Sequence, residues 1–362
     1  MIIPAVSYGL SESSHYAVYR DVEGEEKLAI FDVSLFELLV FDLSSHKLEN
    51  KIKFPDDGPN HIGPYNGFMS FFVDADGVLN IWNNVTSIIY KLSWEGDVVD
   101  KTVLDVGLGD EFGVRPYMDY HRRPVFADGT IFLFNMMSDP KSNDFTKMPM
   151  STVFNHSQFG KMFAKKVGFY LPEEYNRGLM GYAQFKYVPS AIYLEEEQEF
   201  LVSFPLSGKV HRFDLDGELI SDFEMRSSFF KAPEPLRSID FRAKMFTQEV
   251  VVPDSEEIDM YDLTSSDYNY LMKEVKSGLF IRVANVRPEV EAYKNGDTTP
   301  DFSLLFFNNE YEKLGEVFLD GNMHNLFMSF STDKGFYVMN YEETYNRDGE
   351  IFFDVFDIKE ID

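Results

Sequence analysis

The sequence predicts an all-β protein built from one four-stranded unit that is repeated along the chain. Three observations lead to this prediction: one hairpin pattern recurs at intervals of about 50 residues, a second hairpin pattern occurs six times, and the composition suits strands. The chain has 36 Phe and 20 Tyr among its 362 residues. Aromatic side chains favour pleated, half-buried strands over helices.

The first hairpin is clearest in "VHRFDLDGELISDF" (210–223), where two apolar runs flank a turn that contains Asp-Gly. The segments 38–54, 88–104 and 304–319 repeat the same order of apolar run, polar turn and second alternating run. Equivalent positions are Asp42, Lys91, Asp214, Asn308 and Asp357, and the first two and the last two are each 49 residues apart. The wide gap after Lys91 requires a weaker copy, which we place around Asn155.

The second hairpin places a tight polar turn before an alternating apolar strand. It occurs at 23–31, 74–82, 127–134, 195–204, 276–283 and 333–341. Two hairpins per unit give four strands per unit, and a unit of this size repeated in an all-β chain is typical of a β-propeller. The sequence therefore predicts a six-bladed β-propeller of four-stranded antiparallel blades, with residues 1–362 forming a single domain.

The last copy of the first hairpin is incomplete. After "IFFDVFDI" (351–358), only four residues remain. An open edge would expose a row of unpaired backbone groups. We therefore expect residues 2–12 to supply the missing outer strand, so that the N-terminal strand pairs with the last blade and closes the ring.

The long interval between Asp214 and Asn308 predicts one blade with an insertion rather than two blades. A short helical insertion is predicted near 255–277. In "SSDYNYLMKEVKSG" (265–278), Tyr268, Leu271, Met272 and Val275 have the spacing of an amphipathic helix. The preceding segment 231–244 has two prolines and no clean period, which predicts an extended surface segment.

The charge of the chain limits its partners. There are 61 acidic and 33 basic residues, for a formal net charge of -28. Such a surface repels phosphate backbones, so we expect no nucleic-acid partner. The start, "MIIPAVSYGL", lacks a basic segment followed by a sustained apolar run, so no signal peptide is predicted in this chain. Either the protein is cytoplasmic or its signal has been removed.

Few motifs in the sequence carry chemistry. There is no Cys, no His pair with metal-ligand spacing and no nucleophile elbow. "DADG" (74–77) and "DLDG" (214–217) resemble part of a calcium loop but lack its later ligands, and Asp-Gly is a strong turn signal. We therefore interpret both as hairpin turns, and we expect no cofactor, no metal and no catalytic residue.

The segment "VRPYMDYHRRPVF" (114–126) gathers arginines and aromatic residues in a very acidic chain. Arginine beside aromatic rings suits recognition of carboxylates or sugars. Candidate ligand-binding residues lie in connections that enter inner hairpins and are expected to converge around the channel; they are His61, Tyr65, Arg115, Tyr117, His121, Arg122, Tyr182 and His324. The alternative is that the arginines neutralise acidic neighbours across blades.

Three segments of the sequence are distinctive: the hairpin "HRFDLDGEL" (211–219), the insertion before "GLFIRVANV" (278–286) and the ending "GFYVMNYEETYNRDGEIFFDVFDI" (335–358). Together they resemble the uncharacterised six-bladed, TolB-like β-propeller lipoproteins of Bacteroides-type bacteria. The resemblance spans nearly the whole chain. It implies a lipoprotein of the periplasm or the outer membrane whose signal and lipid-bearing cysteine have been removed. Blade hairpins specify a fold better than a function.

Two functions follow from these observations. The first is a binding propeller of the bacterial cell envelope, without enzymatic activity, that takes a peptide, glycan or protein partner on the face with the inter-blade connections. We expect it to be a monomer that contacts a membrane only through a lipid anchor. The alternative is a hydrolase or lyase with a His/carboxylate or metal site at the propeller channel.

Overall fold

Six blades are arranged as a ring around a central channel, which confirms the predicted fold class. This computed structural model describes residues 1–4, 15–32, 35–63, 69–74, 76–83, 85–105, 114–119, 121–127, 130–137, 147, 149–156, 161–180, 186–238, 255–347 and 349–359.

Blades 1 to 3 follow one another along the chain, each from its innermost to its outermost strand. Blade 1 consists of β2 (His15–Arg20), β3 (Glu26–Asp32), β4 (Glu37–Asp42) and β5 (Lys47–Lys53). Blade 2 consists of β6 (Met69–Val73), β7 (Leu79–Asn83), β8 (Ile88–Leu92) and β9 (Val98–Asp105). Blade 3 consists of a divided inner strand, β10 (Val114–Pro116) and β11 (Val125–Ala127), then β12 (Thr130–Met137), β13 (Ser151–His156) and β14 (Lys161–Val167).

Blades 4 to 6 complete the ring. Blade 4 consists of β16 (Ser190–Leu194), β17 (Glu199–Ser203), β18 (Lys209–Phe213) and β19 (Leu219–Glu224). Blade 5 consists of β21 (Asp267–Lys273), β22 (Phe280–Val286), β23 (Asp301–Phe307) and β24 (Lys313–Leu319). Blade 6 consists of β25 (His324–Thr332), β26 (Gly335–Asn340), β27 (Glu350–Phe356) and β1 (Ile2–Pro4).

The strand that closes the ring comes from the start of the chain. Strand β1 pairs antiparallel with β27, with Ile3 opposite Ile351. The Ile3 side chain is fully buried between blades 6 and 1. Blade 6 therefore contains both ends of the described chain, and β27 has a partner on each edge. The rest of the predicted closing segment, residues 5–12, lies outside the described residues.

The core explains why the sequence is so aromatic. The described core residues form six clusters, and each cluster joins two adjacent blades. Between blades 3 and 4, for example, Phe134, Phe169 and Phe200 pack edge to face, with centroid separations of 5.2 to 6.0 Å. Each sheet is covered on both faces, so large flat side chains on both sides of a strand are buried. Such burial is the main favourable contribution to folding.

Among the described residues, blades 2 and 3 are joined more closely than other neighbouring blades. Their outermost strands, β9 and β14, pair in parallel, with Val103 opposite Lys161. This contact merges the two blades into one nine-stranded sheet. The core between them includes Trp82 and Phe154, both buried.

Helices are few and short in the described chain. They are α1 (Ser255–Thr264), α2 (Val290–Lys294), α3 (Tyr341–Asn346) and a 3-10 helix at Glu173–Arg177. No helix among the described residues has the length and apolar character needed to span a bilayer. A further two-stranded ribbon pairs β15 (Gly178–Leu179) with β20 (Arg237–Ser238).

The helix lies in the predicted insertion, but the predicted amphipathic pattern is wrong. Residues 267–273 form the inner strand β21, and α1 ends at Thr264. An inner strand is buried on both faces, and this one contains a bulge between Tyr268 and Tyr270. Continuous burial with one register shift gives an apolar spacing that resembles a helix over one or two turns.

The two Asp-Gly segments are turns, as predicted. The Asp214 carboxylate accepts hydrogen bonds from the backbone N–H groups of Asp216 and Glu218 at 3.0 and 2.9 Å. Gly217 has φ +78°, a conformation that favours glycine. Asp74 accepts the same two backbone bonds in its own turn, at 3.1 and 2.9 Å. Both carboxylates therefore stabilise hairpins.

Candidate functional site

The inner strand of blade 3 is interrupted where it lines the channel. Strand β10 pairs with the end of β12, opposite Asn135 to Met137. Strand β11 pairs with the start of β12, opposite Thr130 to Phe132. The described residues between them, 117–119 and 121–124, leave the sheet and enter the channel; we call them the channel loop. Tyr120 is outside the described residues.

The channel loop contacts the inner strands of other blades. His121 stacks on the ring of Tyr270 in blade 5, and its Nε2 lies 3.2 Å from Tyr16 Oη in blade 1. Ser190 Oγ of blade 4 donates to the His121 carbonyl at 3.3 Å, and Ser70 Oγ of blade 2 donates to the Met118 carbonyl at 2.7 Å. The loop therefore fills the part of the channel where these strands meet.

Arg122 is held inside the structure by this loop. Its Nη1 donates to Asp119 Oδ2 at 2.7 Å, and its Nη2 donates to the Asn269 carbonyl of blade 5 at 2.6 Å. Only 5% of the Arg122 side chain is exposed. Burial raises the pKa of Asp119, but the charge and hydrogen bond of Arg122, together with the nearby histidines, keep that pKa below its usual value. A ligand that reached Arg122 would have to displace Asp119.

Two histidines lie near Asp119. Burial lowers the pKa of His121 to about 3, although the nearby Asp119 charge opposes the shift. Burial also lowers the pKa of His15, which is the first residue of the inner strand of blade 1. Both rings are therefore neutral at pH 7. Within the described ranges, no three His, Asp or Glu side chains are grouped closely enough to hold a metal ion.

The structure brings together three of the predicted site residues: Tyr117, His121 and Arg122. His61 lies elsewhere, with its Nδ1 3.1 Å from the Pro55 carbonyl in the connection between blades 1 and 2. His324 Nε2 lies 3.2 Å from Asp354 Oδ2 within blade 6. Tyr65, Tyr182 and the side chain of Arg115 lie outside the described residues. That these eight residues bind a ligand stays a prediction.

Each connection between blades enters the next inner strand on the same face of the ring, which we call the connection face. This face carries a cavity. The cavity has a volume of about 180 Å³ and lies over blade 4. Three segments line it: the 3-10 helix with the chain that follows it, the turn between β17 and β18, and the chain that follows β19. Their lining residues include Glu174, Arg177, Leu206, Gly208, Arg226 and Phe230.

The walls of this cavity are fixed by contacts that are distant in sequence. The ribbon of β15 and β20 ties the chain after the 3-10 helix to the chain after β19. Helix α1 supports this ribbon, since Tyr261 Oη donates to the Glu234 carbonyl at 2.9 Å. The Tyr175 hydroxyl accepts from the backbone N–H of Leu206 at 3.1 Å and so orients the β17–β18 turn.

A buried arginine supports the cavity from behind. Arg282 is fully buried, and its guanidinium lies 3.5 Å from the centroid of the Tyr268 ring. It donates to the carbonyls of Met225 at 2.8 Å and Ser207 at 2.7 Å, and these residues adjoin the lining residues Arg226 and Gly208. Burial lowers the pKa of Arg282 to about 10, so it remains charged at pH 7.

Reasoning from the sequence did not find the cavity residues. Arg177 and Arg226 are single basic residues within "EEYNRG" and "EMRSS". Their position along the chain could have indicated these two arginines, because both lie in segments that enter or leave blade 4 on the connection face. No spacing in the sequence indicates that these segments meet.

Fold and site together define this protein as a six-bladed β-propeller with a loop inside its channel and a cavity on its connection face. No family model and no curated protein matches the chain. A solved structure of a DUF4221 family member from Bacteroides vulgatus has a TM-score of 0.79 and 16% identity, and the match covers 100% of this chain and 97% of that chain. At this identity, the similarity supports the fold alone.

Two other solved structures are more distant. A Bacteroides fragilis protein described as exported has a TM-score of 0.49 and 15% identity, with coverage of 94% of this chain and 83% of that one. Virginiamycin B lyase from Staphylococcus aureus has a TM-score of 0.42 and 8% identity, with 97% of each chain covered. Neither similarity supports a conclusion about the activity of this protein.

Proposed function

We propose that this protein is a binding propeller without enzymatic activity, which takes its ligand on the connection face. One observation carries the proposal: a cavity opens on that face, while the channel loop fills the channel beside it. Binding sites are commonly placed in connections, where residues can vary without disturbing the strands that support them. The ligand class proposed is a peptide, a glycan or a protein partner.

The alternative is a hydrolase or lyase with a site in the channel. Such an enzyme needs a side chain that reaches the substrate with a suitable protonation state. In the described part of the channel, Asp119 is paired with Arg122, and the His121 ring lies flat on Tyr270. These contacts support the stability of the loop, and they favour the binding function over catalysis.

The proposal is tested by screening the purified protein against a glycan array and a peptide library. We expect a specific ligand whose binding is weakened by substitutions on the connection face, such as Arg226→Gln, and is unchanged by Arg20→Gln. Arg20 lies at the opposite end of its inner strand from His15, where β2 turns into β3. Turnover of a glycoside, ester or peptide that is lost in His121→Ala would overturn the proposal in favour of the enzyme.

We further propose that the natural protein is a monomeric lipoprotein of the periplasm or the outer membrane. This location rests on the resemblance described above. In cells that express its natural gene, the protein is expected in the envelope fraction and is expected to incorporate a labelled fatty acid. Recovery in the cytoplasmic fraction would contradict the location, and a dimer in light scattering would contradict the monomer.

A further inference from the structure

The cavity over blade 4 has an unusual charge for this chain. Its lining holds two guanidinium groups, Arg177 and Arg226, and one carboxylate, Glu174. The whole chain has a net charge of -28. Two cations at one small cavity therefore make a local site where an anion binds more favourably than on most of the surface.

The two rim arginines are available to a ligand. Arg226 is 65% exposed, and its nearest carboxylate oxygen, on Glu224, is 3.9 Å from Nε. Arg177 is 44% exposed and pairs with Glu234, which is 84% exposed. Exposed pairs such as these contribute little, so a ligand that is better enclosed can compete with them.

A third positive charge lies behind the cavity wall. Arg282 is buried, and its hydrogen-bond acceptors are neutral: the Ser203 hydroxyl and the carbonyls of Phe204, Ser207 and Met225. Its charge therefore acts through a medium of low polarity, where electrostatic interactions are stronger than in water. Whereas Arg282 donates only to these neutral acceptors, the lining carboxylate Glu174 accepts a hydrogen bond from Ser207 Oγ at 3.2 Å.

The remaining lining is apolar and limits the size of a ligand. Leu206, Phe230, Met180 and Pro233 surround the cavity. A volume of about 180 Å³ is smaller than that of sites for drug-sized ligands, which are roughly 300 to 1,000 Å³. The space suits one apolar side chain with an acidic group beside it.

We propose that this cavity binds a carboxylate that carries a short apolar side chain, with Arg226 and Arg177 donating to the carboxylate and Leu206 and Phe230 packing on the side chain. Guanidinium groups bind carboxylates through paired, charge-assisted hydrogen bonds. A free acid and the C-terminal residue of a peptide share this chemistry. The inference rests on the proposed binding function and specifies its ligand class.

Gly208 offers a test that leaves every charge in place. A Cβ at this position would lie 2.6 Å from Arg226 Nε, so Gly208→Ala must displace the Arg226 side chain. Arg226 is exposed and flexible, so the displacement does not disturb the core. The backbone of Gly208 does not adopt a left-handed conformation, and alanine is compatible with it.

The experiment uses the full chain and isothermal titration with N-acetyl-leucine and its carboxamide, then with a tetrapeptide ending in leucine and its C-terminal amide. We expect both acids, or the peptide acid alone, to bind at least ten-fold more tightly than the matching amides. Arg226→Gln and Gly208→Ala are each expected to weaken binding ten-fold or more. Arg20→Gln removes the same charge at the opposite end of the channel and is expected to have no effect.

The outcomes separate this inference from the proposed function. Tighter binding of the peptide acid assigns the site to a chain terminus, and equal binding of both acids shows that the site contacts only the acidic residue itself. Equal binding of acids and amides overturns the carboxylate. Acid binding that is unchanged in both variants overturns the location, while the binding function stands. If none of the four probes binds, this inference fails, and the array and library screens decide the function independently.

Discussion

The imidazole of His121 lies flat on the phenol ring of Tyr270, with the ring centroids 3.5 Å apart and the planes 2° from parallel. His121 belongs to the channel loop of blade 3, and Tyr270 belongs to the inner strand of blade 5. In a propeller, most contacts join neighbouring blades. This contact connects two blades that are not neighbours, so the channel loop braces the ring from inside.

The ion pair between Asp119 and Arg122 in the channel loop predicts that the stability of the protein depends strongly on Asp119. Asp119→Asn leaves the Arg122 guanidinium buried without its counter-charge, and we expect the free energy of unfolding to fall by about 3 to 5 kcal/mol. Urea denaturation measures the change. Adding Arg122→Met to that variant is expected to restore part of the loss. Glu343→Gln, in an exposed pair with Arg347, serves as the control and is expected to change stability by less than about 1 kcal/mol. If Arg122→Met lowered the stability of the Asp119→Asn variant further, instead of restoring part of it, the pairing would be contradicted.

Arg282 is predicted to hold blades 4 and 5 together. Arg282→Met removes the guanidinium that donates to the carbonyls of Ser207 and Met225, and the described residues offer no replacement donor. Each lost partner costs about 1 to 3 kcal/mol, so the variant should be less stable by at least about 2 kcal/mol. Arg282→Lys should recover only part, because an ammonium cannot reproduce the planar set of donors. A melting curve identical to that of the original protein in the lysine variant would refute this role.

The closing strand predicts different effects for two adjacent isoleucines. Ile3 is fully buried, whereas Ile2 is 43% exposed. Ile3→Ala should lower the free energy of unfolding by about 2 to 5 kcal/mol. Ile2→Ala, the matched control, should change it by less than about 0.5 kcal/mol. Deletion of residues 2–10 should in addition promote aggregation, because it uncovers the edge of β27. Unchanged melting of the deletion variant would mean that the ring closes in another way.

The buried histidines predict a loss of stability in mild acid. Burial lowers the pKa of His121 to about 3 and that of His211 to about 4, from an ordinary value of 6.5. Below pH 6.5 the unfolded chain therefore binds protons that the folded chain excludes, and stability falls as the pH falls towards the folded values. Each ring contributes a slope of about 1.4 kcal/mol per pH unit.

Denaturation series between about pH 7 and about pH 5 test this slope for His121. His121→Gln should reduce the slope by the contribution of one ring. Equal slopes for the original protein and His121→Gln would contradict the neutral, buried ring.

The blades could be predicted because their signals are local. Alternating side chains and Asp-Gly turns are determined within a few residues, as at Asp214 and Gly217. Strand β21 was mistaken for a helix because burial on both faces removes the alternation that identifies a strand. The local pattern at 265–278 contained no information about its neighbours on either side.

The site depends on contacts that a local pattern cannot show. The segment 114–126 is predicted from its sequence to be a connection at the channel mouth, whereas in the structure it forms a divided inner strand, and this division depends on the pairing of β10 and β11 with β12. The cavity depends on Gly178–Leu179 meeting Arg237–Ser238, two strands of two residues each. Such short strands have no sequence signature, and their pairing is determined by tertiary packing.

The parallel pairing of β9 with β14 affects where the ring can open transiently. Opening the ring between blades 2 and 3 requires breaking backbone hydrogen bonds as well as separating a packed surface. Transient opening is therefore directed to the other blade boundaries. Amide hydrogens of β9 and β14 should exchange with solvent more slowly than those of the outermost strand β24, which pairs with β23 alone among the described strands. Among the described strands, one blade boundary is closed by strand pairing, and transient opening of the ring is expected on the side away from it.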